Sequence, residues 1–352
     1  MRYLILLIAP VLATSSPACA AEEPARDSQL DRAVERGLDY LQLTQDKTDG
    51  CWRDPFRRPS SAVTGLAVMA FLSAGHVPGE GRYGPTVERG VRWLLRKQQT
   101  NGLIADNGEQ EMYQHGIATL SLAEVAGMTD AELGKEVRKG LRRDVAVILK
   151  GQRKQGEDRG GWRYRVVGTD SDISVTGWQV MALRAARNLG CDVPAESIER
   201  AVDYIKRCQD NRTGGFRYRP SGPLMLACTG ISVLSLELGG KEQHHSQEAL
   251  RGGAYLLQAQ NLPDPRQEFF FYSVYYGSQA TFQLGGNYWA VYRPRMLEVL
   301  LRTQNFSGYW DGQGRDARAG GRAYCTAMAL LALTVEYRFL PIYQRDEEPA
   351  EK

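Results

Sequence analysis

Two aspartates, Asp170 and Asp172, stand two residues apart in the run Thr169-Asp170-Ser171-Asp172-Ile173-Ser174-Val175. A carboxyl group beside another carboxylate, in apolar surroundings, keeps its proton to higher pH and can act as an acid. The same run suits a helix start, where Asp172 or Ser174 would accept from an otherwise unpaired backbone N–H. His115 is a second candidate, as a ligand, a general base or a hydrogen-bonded residue at a helix start. The third is a dense aromatic group: Phe269-Phe270-Phe271-Tyr272, Tyr275-Tyr276, Tyr288-Trp289 and Tyr292, joined by Trp178 and Tyr324. Of these, Trp178, Tyr272, Tyr276, Trp289 and Tyr324 are expected to face a ligand and bury its apolar or sugar-like body. Core packing is the competing use of the same rings. There is no phosphate loop, Ser-His-Asp spacing or paired-cysteine metal motif to suggest another mechanism.

The elements that must position these residues follow from an internal repeat. Six times an amphipathic run opens with Arg or Lys and closes on glutamine: Gln45, Gln98, Gln152, Gln209, Gln260 and Gln304. The clearest copy reads Arg36-Gly37, Tyr40-Leu41, Gln45, then Gly50-Cys51-Trp52. The spacing, roughly 40 to 55 residues, marks units that bury their apolar faces only by stacking on neighbours. Second runs open at Thr64, His115, Thr176, Thr229, Ser278 and Thr326 and are apolar nearly all round, as buried helices are. The first runs carry charges suited to an outer layer. The pattern predicts six helical hairpins, about 30–76, 85–128, 132–190, 195–239, 246–285 and 288–339, closed into an all-α α6/α6 toroid. Ser or Thr at each inner start is expected to cap its helix. Long connections such as Lys47 to Ala62, Lys154 to Val175 and Phe306 to Ala323 converge on one mouth, where a site is expected. His76 and His244-His245 fall at the opposite mouth, with the histidine pair expected in solvent.

Gln45 to Trp52 and Gln304 to Trp310 resemble the repeat signature of the squalene–hopene cyclase and protein prenyltransferase superfamily, a likeness that spans about residues 30 to 340. It implies the toroid. It also makes the aspartate run similar to the acid motif of the cyclases, with Asp170 and Asp172 at the first and middle aspartates and Ile173 where the next would stand. The resemblance implies Asp172 as proton donor, Asp170 as its partner, and aromatic rings that stabilise carbocations. Prenyltransferases hold zinc with an Asp, a nearby Cys and a His starting an inner helix. His115 is similar to that His, but no Cys lies two residues after Asp170 or Asp172. No metal or other cofactor is therefore expected. Gly108-Glu109-Gln110-Glu111-Met112 resembles part of a complement-type thioester motif, yet Asn107 stands where its cysteine would be, so no thioester is expected.

Of the 352 residues 43% are hydrophobic and 24% charged, and the net charge of +3 gives no argument for nucleic acid. Arg2, the apolar stretch Tyr3 to Leu12 and Ala18-Cys19-Ala20 read as a signal peptide over 1–20, too short to span a bilayer. The expected order is leader, polar tail 21–29, toroid 30–340 and charged tail 341–352, with the mature chain exported to a periplasmic or extracellular location and carrying no transmembrane segment. It keeps Cys51, Cys191, Cys208, Cys228 and Cys325, read as small buried hydrophobes, with Cys208 and Cys228 the one intrachain pair considered. The functional expectation is a toroid that binds an apolar or isoprenoid-like ligand, or a protein partner, at the long-loop mouth. Its alternative is a terpene-cyclase-like enzyme using Asp172.

Overall fold

The computed structural model describes residues 28–106, 109–129, 132–240 and 242–344, so the expected leader and nearly all of the tail before the first helix lie outside it. The outer helices are α1 (Ser28–Thr44), α3 (Gly84–Lys97), α5 (Glu132–Gly151), α7 (Ala195–Arg207), α9 (Gln247–Leu256) and α11 (Gly286–Thr303). The inner ones are α2 (Ser61–Ser73), α4 (Glu111–Met128), α6 (Ile173–Asn188), α8 (Leu226–Glu237), α10 (Phe270–Leu284) and α12 (Arg315–Leu333). Each inner helix packs on the next, and α12 returns to α2, so the ring closes. Most inner helices are buried on nearly all faces, and in α2 every residue from Val63 to Ser73 is buried; α12 is buried all round only from Cys325 onward. Outer helices such as α7 bury only one stripe, Ile198, Ala201, Val202 and Ile205 among it. The fold is an α/α toroid.

The glutamines pin unit to unit. Gln45 Nε2 donates to Gly50 O at 2.8 Å and Thr86 O at 2.9 Å, one in its own loop and one in the next outer helix. Gln152 does the same to Gly160 O and Ser197 O, and Gln209 to Gly214 O and Glu248 O. An arginine of the next outer helix donates to the glutamine's Oε1, as Arg89 does to Gln45 at 2.7 Å. In the third unit Arg143 takes this role toward Gln98, not the run-opening Lys139. Gln260 departs from the pattern: it is exposed, and its amide donates to Gln258. The loop glycines let the next helix approach. At Gly160, φ is +94° and a Cβ would sit 1.9 Å from the Arg200 carbonyl oxygen.

The threonines are not helix caps, a difference from the sequence reading. Thr64, Thr176, Thr229 and Thr326 accept through Oγ1 from the backbone N–H of Trp52, Trp162, Phe216 and Trp310 at 2.9–3.1 Å, pinning each loop to its inner helix. The side-chain caps of α2 and α6 are instead Ser60 and Asp172. The fifth copy differs again, because α10 begins at Phe270 and Ser278 lies inside it, bonded to Tyr275 O. Helix α10 thus starts before the expected opening at Ser278, and α12 likewise starts at Arg315, inside the expected connection Phe306 to Ala323, with Gly321 at φ +73° interrupting it.

Pro341–Tyr343, placed in the charged tail by sequence, form a 3-10 turn that plugs the short-loop mouth. Tyr343 Oη lies 2.7 Å from Tyr275 Oη, and Ile342 N–H donates to Glu124 at 3.2 Å. The five cysteines among the described residues are free thiols, and all of these but Cys191 are buried.

Candidate ligand-binding mouth

Asp172 lies at the start of α6, fully buried, with backbone φ −148°. Its Oδ1 accepts from Val175 N–H at 2.9 Å and from Ser174 Oγ–H at 2.7 Å. Its Oδ2 accepts no hydrogen bond, with Arg163 Nε 3.7 Å away. Burial raises the Asp172 pKa above the usual carboxylate range, opposed by Ser174, the Val175 N–H and Arg163. Asp170 is about half exposed and lies 3.1 Å from Arg163 Nη1. Arg163 is held over the rings of Tyr164 and Tyr218, at 4.8 and 5.7 Å, and their hydroxyls are 2.8 Å apart.

Three of the expected aromatic residues do assemble. Tyr276 meets Trp178 edge-on with ring centroids 5.4 Å apart and Tyr272 at a tilt with centroids 4.7 Å apart, and Tyr272 Oη donates to Ser174 O at 3.3 Å. They are buried to 6% exposure or less, so they fill the ring rather than line an open cavity. Tyr324 reaches the same network through Asp316, 3.5 Å from its hydroxyl. Trp289 does not join them: it sits at the start of α11, against Phe282 and hydrogen-bonded to Glu336 at 3.0 Å, at the other mouth. The outer helices start there, which places it away from the loops.

His115 occupies the threonine register and does the threonine's work. Its Nδ1 accepts from Ile104 N–H at 3.1 Å, and its Nε2 lies 3.0 Å from Asp144 O. Burial lowers its pKa to about 4, which keeps the ring neutral. Both nitrogens are committed to backbone. His245 is exposed as expected, whereas His244 is half-buried, and both face the buried Glu237 carboxylate.

Sequence reasoning missed Asp316, which accepts from Tyr272 N–H at 3.2 Å and leaves Oδ1 without a partner. Burial raises its pKa. The available signal was an acid in the same mouth loop as Tyr324. It also missed an open groove of about 860 Å³ at the seam where the sixth unit meets the first. Arg53, Arg57, Arg318 and Arg322 line it together with Asp46, Asp54 and Asp311. Arg53 pairs with Asp46 at 2.9 Å and Arg322 with Asp311 at 3.0 Å, whereas Arg57 and Arg318 have no carboxylate partner among the described residues. Arg322 also lies over the Tyr309 ring at 4.4 Å, and Tyr309 packs on Tyr40.

This architecture defines the chain as an α/α-toroid protein. No family description and no curated protein matches the sequence. Solved structures do match. An α-1,6-mannanase, GH76A of Salegentibacter sp. HEL1_6, aligns with a TM-score of 0.67 at 10% identity, covering 88% of this chain and 99% of its own. The type II terpene cyclase MstE from Scytonema gives 0.57 at 16% identity, over 89% and 99%. Cellobiose 2-epimerase from Bacillus thermoamylovorans gives 0.64 at 10%, over 88% and 99%. At these identities the likeness concerns the toroid, which serves unlike chemistries, and not squalene–hopene cyclases in particular.

Proposed function

We propose that this chain is an exported toroid that acts by binding, and that its partner is an acidic segment of another protein held in the seam groove at the long-loop mouth. The observation that carries this reading is the contrast between two places. The open volume lies at the seam, where guanidinium groups outnumber carboxylates, while Asp172 is shut from solvent and employed as a helix cap. Arg57 and Arg318 would supply the unpaired cations, and the tilted pair Tyr40 and Tyr309 an edge for an apolar residue. Export rests on Arg2, the apolar stretch after it and Ala18-Cys19-Ala20. No helix among the described residues is long and apolar enough to cross a membrane.

Fluorescence anisotropy with a labelled Asp/Glu-rich peptide tests the reading. Binding should weaken about tenfold or more from low to high salt, because exposed charges are screened. It should be lost in Arg57→Ser/Arg318→Ser. Equal binding of a neutral peptide, or an unaffected double variant, removes the proposal.

A second reading, a terpene-cyclase-like enzyme, is favoured by one observation: Asp172 keeps an oxygen without a hydrogen bond, 3.7 Å from Arg163, and a raised pKa beside a tyrosine-rich wall. MstE is seen with geranylgeranyl dihydroxybenzoate. A similar substrate here would require Trp178, Tyr272 and Tyr276 to part, since these rings now fill the ring interior. Turnover of an isoprenoid substrate, abolished by Asp172→Asn in a folded protein, distinguishes this reading from binding alone.

A further inference from the structure

The geometry points to a site for a divalent transition metal at the short-loop mouth, which we propose is formed by Glu237, His244 and His245. Glu237 is the last residue of α8, and its carboxylate is fully buried. The loop to α9 brings two consecutive histidines back onto it. His244 Nδ1 lies 2.5 Å from Glu237 Oε2, and His245 Nε2 lies 3.8 Å from the same oxygen. The three ligand atoms all fall within 4.8 Å of one another.

Two adjacent residues rarely aim both side chains at one point, and the backbone shows how it is done here. His245 has φ +55°, in the left-handed region. Its backbone N–H donates to Glu237 Oε1 at 2.9 Å, and the two imidazole rings lie with centroids 3.9 Å apart. The second carboxylate oxygen is thus held by the loop, which orients Oε2 toward both rings as an outer partner orients a metal ligand.

Two imidazoles and one carboxylate suit zinc and its neighbours, not the hard cations that demand oxygen ligands. Four-coordinate zinc with bonds of about 2.0–2.1 Å spaces its ligands about 3.3 Å apart. The observed separations bracket that value, so small side-chain rotations would complete the site. His245 is exposed, which leaves the outer side of the ion to water. The ion would tie the end of α8 to the loop before α9. This site is independent of the seam groove, which lies at the other mouth.

Isothermal titration of the chelator-treated full chain with zinc chloride tests it, with cobalt(II) absorption reporting coordination. One zinc should bind per chain, with a visible cobalt band of four-coordinate type. His245→Ala, at an exposed loop position, should keep its far-UV circular dichroism and weaken zinc binding by about tenfold or more. His76→Ala, away from the cluster, should bind as the parent does. Absence of stoichiometric zinc binding, or binding unchanged in His245→Ala, overturns the site.

Discussion

Gln304 and Arg36, 268 residues apart in sequence, form the clasp that closes the ring. Arg36 donates to Gln304 Oε1, and Gln304 Nε2 donates to Ala33 O at 2.8 Å and Gly308 O at 2.9 Å. The last unit thereby meets the first through the same contacts that join neighbouring units elsewhere. Gly308, at φ +90°, admits the Arg36 backbone, since a Cβ there would lie 2.2 Å from its carbonyl oxygen.

Gln304→Ala should therefore lose about 1–3 kcal/mol of stability in urea unfolding, the cost of leaving partly buried partners unsatisfied. Gln260→Ala, which breaks no bond between units, should stay within about 0.5 kcal/mol of the parent. Equal effects of the two would show that the clasp contributes nothing particular.

Asp172→Ala should cost about 1–2 kcal/mol through loss of the α6 cap, and Asp172→Asn much less, because asparagine caps well. Asp170→Ala should be nearly neutral, as its ion pair with Arg163 is half exposed. Under the binding proposal none of these variants changes affinity for the acidic peptide, which anisotropy reads directly.

Glu124 gives a pH dependence of defined sign. Burial pushes its pKa up to about 8, so the folded state holds a proton that the unfolded state releases near the ordinary carboxylate pKa. The native chain then binds more protons than the unfolded one between about pH 4.5 and 8, and stability falls as pH rises through that window. Asp144, pushed up to about 7, acts in the same direction. His115, lowered to about 4, acts oppositely between about pH 4 and 6.5. Glu124→Gln should be more stable than the parent at pH 8 and should lose that advantage by pH 4, as measured by thermal melts across pH.

Tyr343→Ala should destabilise by about 3–5 kcal/mol, as loss of a buried aromatic side chain does. Tyr343→Phe, which removes the hydroxyl contact with Tyr275, should cost about 1 kcal/mol. Urea midpoints for the pair separate packing from hydrogen bonding. A silent Tyr343→Ala would mean that the C-terminal turn does not plug the ring in solution.

The toroid was legible in the sequence because its determinants are local and repeated. Gln45, Gly50 and Trp52 lie within one turn and loop, and repetition at a steady period implies that each unit stacks on a copy of itself. The alternation of charged and wholly apolar runs separated outer from inner helices by the same local physics. Asp172 was legible as a residue at a helix start, but its missing solvent contact was not, because burial depends on where Arg163 and Tyr218, the latter from the next unit's loop, come to lie. His115 looked like chemistry because its type broke the threonine register; only the positions of Ile104 and Asp144 O revealed a structural substitute. Trp289 and Tyr276 are alike in local sequence and end at different places, since one belongs to an outer helix and the other to the ring interior. The seam groove and the cluster of Glu237, His244 and His245 join residues whose meeting depends on ring closure or on one left-handed backbone angle. Local periodicity carries no information about either, so the tertiary structure alone decided them.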